Sequence, residues 1–179
     1  CRCWFSLLYF GHDEKKIHVL NGGLKKWIFE NKPITKGTTE IIESSYVANK
    51  KENLVVSLDQ IKKNILSKSF NVIDARSLER FEGKVSEPRK GLRSGHIQNS
   101  FCLPFNQCIN QKTGEFKNLE ELRELFNQNE NIEKRLDQVF TCGSGVTAAV
   151  LAYAYKMVNN DYIPKIYDGS WSEYGKYPA

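Results

Sequence analysis

Apolar positions along the chain fall into two rhythms, and most of the elements can be read from them. Leu58, Ile61 and Ile65 recur at helical spacing behind Ser57, and Ser57 with Gln60 makes the S-x-x-Q signature of a capping box. Asn118, three residues before Glu121, opens a second helix with Leu119, Leu122, Leu125 and Phe126 turned inward. The stretch 146–158 is almost wholly apolar, the pattern of a helix buried on all sides. Short β-rich runs stand between these helices at 70–74, 100–103, 138–141 and 166–168. Strands separated by helices predict an α/β fold, with a central parallel sheet flanked by helices on both faces. Ligands of such sheets sit beyond the carboxyl ends of the strands. Asp74, Cys142 and Asp168, at three of those ends, are therefore expected along one rim.

The first 30 residues read as helix, strand, turn and helix. Trp4, Phe5, Leu7, Leu8 and Phe10 crowd the first helix, 17–20 is a strand candidate, and Asn21-Gly22-Gly23 punctuates it. So few elements cannot bury so many aromatics, which makes residues 1–36 the expected end of a preceding domain. The polar stretch from Asn31 to Tyr46 carries Pro33 and Gly37, and its part 37–46 is expected to be a linker. Residues 47–179 then form the second unit. Within it, 76–94 is charged, bears Pro and Gly, and shows no periodicity, as functional loops often do.

Composition narrows the function classes. The 179 residues include 26 Lys and Arg against 21 Asp and Glu, for a net charge of +5, with 40% apolar and 12% aromatic residues. Area scaling leaves roughly 9,000 of about 30,000 Å² exposed on folding, enough burial for a proper core. A disordered or collagen-like chain is excluded. No apolar run is long enough to span a membrane, so no membrane partner is expected. The charges are interspersed and no nucleic-acid motif is present, so no nucleic-acid partner is expected either. Cys1, Cys3, Cys102, Cys108 and Cys142 are odd in number and contain no CxxC pair, which favours a reducing compartment and gives no metal site. The chain does not begin with Met and shows no signal-peptide pattern, so it reads as cut or processed upstream.

One loop carries candidate chemistry. In Val139-Phe140-Thr141-Cys142-Gly143-Ser144-Gly145-Val146-Thr147, a cysteine ends a buried strand, a glycine-bearing loop follows, and a helix begins. Backbone N–H groups in such a turn converge into an anion nest, reinforced by the helix dipole. A thiol of ordinary pKa near 8.5 is only about 3% thiolate at pH 7, and a fall of about two pH units would make it roughly three quarters thiolate. No charged side chain lies between Asp137 and Lys156, so the backbone is expected to do most of this locally. The inert alternative is a buried cysteine at a strand end.

The loop 142–147, Cys-Gly-Ser-Gly-Val-Thr, resembles the active loop of the two-domain rhodanese-type sulfurtransferases, and most of all that of their mercaptopyruvate-using members. Asp74-Ala75-Arg76, Arg80-Phe81-Glu82-Gly83, Glu87-Pro88-Arg89, Gly91-Leu92-Arg93-Ser94-Gly95-His96-Ile97 and Tyr167-Asp168-Gly169-Ser170-Trp171-Ser172-Glu173 match the family in order. Asn21-Gly22-Gly23-Leu24-Lys25-Lys26-Trp27 resembles the end of the family's first domain. The resemblance implies that Cys142 is the nucleophile and carries sulfane sulfur as a persulfide. It implies a cradle of backbone N–H groups from Gly143, Ser144, Gly145, Val146 and Thr147, with Ser144 as a proton relay. Arg80 and Arg89 would bind the substrate's carboxylate and carbonyl, a task suited to the planar guanidinium fork. No metal or organic cofactor is implied. The implied partners are a small-molecule sulfur donor and a thiol acceptor such as thioredoxin, or cyanide, and the implied location is cytoplasmic or mitochondrial.

Members of the family that prefer thiosulfate carry basic side chains where this chain has Gly143 and Ser144, so mercaptopyruvate is the expected donor and thiosulfate the alternative. A catalytically weak binding module is the other alternative, because the family's first domain contributes to the cleft. A cysteine phosphatase of Cys-x5-Arg type is excluded, because the sixth residue after Cys142 is Ala148. Five neighbours have plainer expected roles: His96 fixing a turn, Asp74 and Arg76 bracing the rim as a charged pair, and Trp171 and Tyr174 packing a short helix against the site wall.

Overall fold

Alternation along two strands divides the core. The computed structural model describes residues 1–128 and 132–177. Strands β1 (Phe70–Asp74), β2 (Ser100–Cys102), β3 (Asp137–Thr141) and β4 (Lys165–Ile166) form a parallel sheet in the order β2-β1-β3-β4. β1 and β3 lie in register, Val72 beside Val139 and Ile73 beside Phe140. Successive side chains on a strand point to opposite faces. Val72 and Val139 accordingly pack with Ile61, Tyr167 and Trp171 on one face, while Ile73 and Phe140 pack with Leu122, Leu151 and Phe5 on the other. Both inner strands are thus buried on both faces, as a parallel sheet requires.

The helices follow from their caps and stripes. α3 (Leu58–Ser67) starts at Ser57, whose hydroxyl accepts from Gln60 N–H while the Gln60 side chain accepts from Ser57 N–H. α5 (Leu119–Asn127) starts with the equivalent reciprocal pair, Asn118 and Glu121. Each such cap contributes on the order of 1 kcal/mol. α6 (Ala148–Val158) sets Ala148, Ala149, Ala152 and Ala154 at 0% exposure, and these small side chains let it lie close on the sheet. α1 (Arg2–Tyr9) buries Trp4, Phe5 and Leu8 in the same core and packs against α6. α7 (Ser170–Tyr174) packs on the opposite face through Trp171.

Several local expectations change. Residues 17–20 form no strand, because a β-rich run gains little without a neighbouring strand to pair with. The last strand is Lys165–Ile166, starting one residue and ending two residues earlier than expected, and Asp168 lies beyond the sheet and pairs with Arg2. The stretch 76–94 contains a single helical turn, α4 (Leu78–Phe81), too short to show periodicity. α2 (Gly23–Phe29) is followed by a stretch without helix or strand until Glu52, and residues 28–53 are exposed throughout. That segment helps explain a total exposed area of 11,762 Å², above the value expected from mass alone. It returns to α1 at its far end, where Asn49 and Lys51 N–H donate to the carbonyls of Phe10 and Tyr9 at 3.0 and 2.7 Å.

Candidate active site at the sheet rim

The register that buries β3 also places the candidate loop. Asp74 is the partner of Thr141, so Cys142 emerges at the carboxyl edge of the sheet beside the end of β1. Cys142 is 2% exposed. Its Sγ accepts from the N–H of Ser144 at 3.4 Å. Among the described residues, no protein group accepts from the N–H of Gly143, Val146 or Thr147, which leaves these donors for an anion or a second sulfur. Ser144 and Thr147 are half-buried and Val146 is exposed, at the start of α6.

The other two loop N–H groups go to a residue that sequence reasoning placed in a matching string but gave no role. Ser170 Oγ accepts from Cys142 N–H at 3.3 Å and from Gly145 N–H at 3.0 Å, and donates to the Tyr167 carbonyl at 2.8 Å. Ser170 is fully buried and has a left-handed backbone, φ +51. The next two N–H groups complete the brace: Trp171 donates to the Cys142 carbonyl and Ser172 to the Gly143 carbonyl, both at 2.9 Å. The loop is therefore fixed from behind by α7, with its unpaired N–H groups left over.

Arg80 and Arg89, nine residues apart across a proline-bearing loop, reach one point. A Cβ built on Gly143 would lie 3.1 Å from Arg80 Nη2 and 3.6 Å from Arg89 Nη1. Two guanidinium groups thus stand beside the residue that follows Cys142. Arg80 is held by Glu87, whose Oε2 accepts from Arg80 Nη2 at 2.6 Å and whose Oε1 accepts from Arg80 Nε at 3.2 Å. The same Oε1 accepts from Arg76 Nη1 at 2.8 Å. Arg76 in turn is bidentate on Asp74, donates to the Gly95 carbonyl at 2.8 Å, and lies 4.4 Å over the Trp171 ring. Asp74, Arg76 and Glu87 side chains are all at most 1% exposed, so this is a buried and fully paired network. Arg89 is exposed and makes no ion pair among the described residues.

Charge balance around Glu87 is one-sided. Burial works to raise its carboxyl pKa, but the hydrogen bond from Arg80 and the charges of Arg76 and Arg80 outweigh it and hold the group below its ordinary 4.5. Glu87, like Ser170, was legible as part of a matching string but not as the anchor of Arg80. His96 Nδ1 lies 2.8 Å from the Phe81 carbonyl and its ring stacks on Phe81 at 4.0 Å, so it secures α4 to the loop. Burial pushes the thiols of Cys102 and Cys108 each up to about 12. Among the described residues no three His, Cys, Asp or Glu side chains gather as a metal site would need.

A family model described as a Rhodanese-like domain matches residues 57–177. The chain belongs to the rhodanese family. It is 35% identical over 173 residues to 3-mercaptopyruvate sulfurtransferase of Homo sapiens, an alignment covering 97% of this chain and 57% of that protein. It is also 35% identical over 198 residues to Thiosulfate/3-mercaptopyruvate sulfurtransferase 1, mitochondrial, of Arabidopsis thaliana, covering 99% of this chain and 51% of that protein. Among solved structures, the rhodanese fold of the 3-mercaptopyruvate sulfurtransferase SseA from Escherichia coli superimposes with a TM-score of 0.80 at 31% identity, over 96% of this chain and 62% of that one. The chain thus spans less than two thirds of the length of these relatives. No helix among the described residues is long and apolar enough to cross a membrane.

Proposed function

We propose that this rhodanese chain is the catalytic part of a sulfurtransferase that moves sulfane sulfur from 3-mercaptopyruvate to a thiol acceptor, or to cyanide, through a persulfide on Cys142. The observation that carries the reading is the convergence of Arg80 and Arg89 on Gly143, next to a thiol with unpaired loop N–H groups beyond it. A 2-oxo carboxylate offers a planar carboxylate and a carbonyl oxygen, and two guanidinium forks match that pair.

The chemistry runs in two displacements. Cys142 thiolate attacks the donor sulfur and an S–S bond forms. The donor's C–S bond breaks, and its electron pair passes to carbon as the enolate of pyruvate, whose oxygens Arg80 and Arg89 stabilise until carbon is protonated. The persulfide remains among the N–H groups of Gly143, Ser144, Val146 and Thr147, with the Ser144 hydroxyl as the proton relay. An acceptor thiolate then attacks the outer sulfur, the S–S bond breaks, and Cys142 thiolate is restored. At 2% exposure the Cys142 sulfur meets little solvent.

Thiosulfate is the alternative donor. The neutral side of the loop favours mercaptopyruvate: a basic side chain at position 143 would start 3.1 Å from Arg80 Nη2 and add like charge there. On this reading residues 1–36 are the end of a first rhodanese-like unit, 37–46 the linker and 47–179 the catalytic unit, and the exposed irregular stretch before Glu52 supports the linker. The acceptor is a small thiol or thioredoxin, and the setting is the cytoplasm or the mitochondrion, the second being the one that the Arabidopsis relative's name carries. The test is kinetic: kcat/KM for 3-mercaptopyruvate is expected to exceed that for thiosulfate, with cyanide as the common acceptor. The reverse order overturns the choice of donor.

A further inference from the structure

Arg2 comes from the far end of the chain, 143 residues before Gly145, and meets the candidate loop. Its Nη1 donates to the Gly145 carbonyl at 3.3 Å, and its Nη2 to Asp168 Oδ2 at 3.3 Å. A closer contact between Nη1 and Oδ1 completes an ion pair. Gly145 has φ +76, a conformation that glycine adopts without strain. A Cβ there would fall on the Asp168 carboxylate and lie 2.9 Å from Arg2 Nη1, so the ion pair occupies the space a side chain would need. Gly145 is thus clasped at both backbone groups, its N–H by Ser170 and its carbonyl by Arg2. The arrangement also sets a cation and an anion, paired with each other, against a loop that has no charged side chain of its own between Asp137 and Lys156.

We propose that Arg2 is a positioning residue for sulfur transfer: clasped with Asp168 on Gly145, it fixes the left-handed turn of the loop, and its guanidinium offsets the Asp168 carboxylate beside that loop. The inference rests on the sulfurtransferase reading above. The hydrogen bond to Asp168 is the main cause that raises the Arg2 pKa, and attraction to Cys142 contributes in the same direction. Tyr9, whose hydroxyl donates to Glu52 at 3.1 Å, also bears on Asp168, while Arg80 and Arg89 stand against Gly143 in the same loop.

Charge and clasp make opposite forecasts for two variants. Arg2→Gln removes a cation, and Asp168→Asn removes the anion that offsets it. The rate of Cys142 alkylation by iodoacetamide is followed against pH at the Cys142 peptide, alongside kcat and KM for 3-mercaptopyruvate. In Arg2→Gln the alkylation midpoint is expected to move up by about half a pH unit, with kcat about tenfold lower and KM within about twofold. In Asp168→Asn the midpoint is expected to move down. Arg2→Lys keeps the charge and loses the fork, so it keeps the midpoint and only part of kcat. Midpoints that stay unchanged, or that move the same way in Arg2→Gln and Asp168→Asn as mere loosening of the loop would produce, overturn the proposal. If Arg2→Gln fails to fold, Arg2→Lys and Asp168→Asn carry the same test. Opposed midpoints in a protein that forms no persulfide would keep the Arg2 effect and sink the sulfurtransferase reading. Persulfide formation with unmoved midpoints would do the reverse.

Discussion

Replacing Ser170 by alanine removes one hydroxyl and unpairs three backbone groups at once: the N–H of Cys142, the N–H of Gly145 and the carbonyl of Tyr167. All three lie in the interior, with Ser170 and Tyr167 at 0% exposure and Cys142 at 2%. A buried polar group left without a partner costs about 1–3 kcal/mol. The Cys142 bond is the longest of the three, at 3.3 Å, and weighs least. The expected loss is about 3–5 kcal/mol, a large part of a typical domain's stability. Ser170→Gly loses the same hydroxyl but relieves a left-handed backbone at φ +51, which recovers about 1 kcal/mol. The order of stability is therefore wild type, then Ser170→Gly, then Ser170→Ala. Equilibrium urea unfolding with a constant m value measures it. Single-turnover persulfide formation should slow at least about tenfold in both variants, because the loop loses its rear brace. A Ser170→Ala protein within about 0.5 kcal/mol of wild type, or one more stable than Ser170→Gly, would refute the brace.

Other consequences can be checked separately. Arg89→Ala should raise KM for 3-mercaptopyruvate while the reaction of the preformed persulfide with cyanide stays nearly unchanged, since cyanide has no carboxylate to bind; equal loss in both half-reactions would move Arg89 elsewhere. Glu87→Gln leaves Arg80 and buried Arg76 short of a charge partner and should cost about 3 kcal/mol near neutral pH in chemical unfolding. The Glu87 carboxyl is held below 4.5 in the folded chain, so its contribution is full above that value and disappears as pH falls through the lower folded value. The gap between wild type and Glu87→Gln should close in that acid window, and a gap independent of pH would contradict the network. Cys102 and Cys108, with thiols pushed up to about 12, should resist iodoacetamide at pH 8 while Cys142 reacts, as peptide mapping of the folded protein would show.

How far the sequence could be read depends on how local each determinant is. The helix starts at Ser57 and Asn118 were legible because both partners of each cap lie within four residues. β1 and β3 were legible as short β-rich runs standing between helices, the form that strands buried on both faces take. The absence of a strand at 17–20 was not, because pairing depends on which strand lies alongside. α4 has only four residues and offers no period to detect. The loop from Cys142 to Thr147 stands out as a string, and Arg80 and Arg89 were named from theirs. That the two guanidinium groups meet at Gly143 is a property of the folded loop between them. Ser170, Glu87 and Arg2 were hidden for the same reason: their bonds to Cys142, Arg76 and Gly145 span 28, 11 and 143 residues.

The most direct measurement is the mass of the protein after reaction with 3-mercaptopyruvate, followed by peptide mapping of the added sulfur. The account predicts a gain of one sulfur atom on the peptide containing Cys142, removed by cyanide and absent from Cys142→Ser. No gain, or a gain carried by Cys1, Cys3 or Cys102 instead, would contradict it.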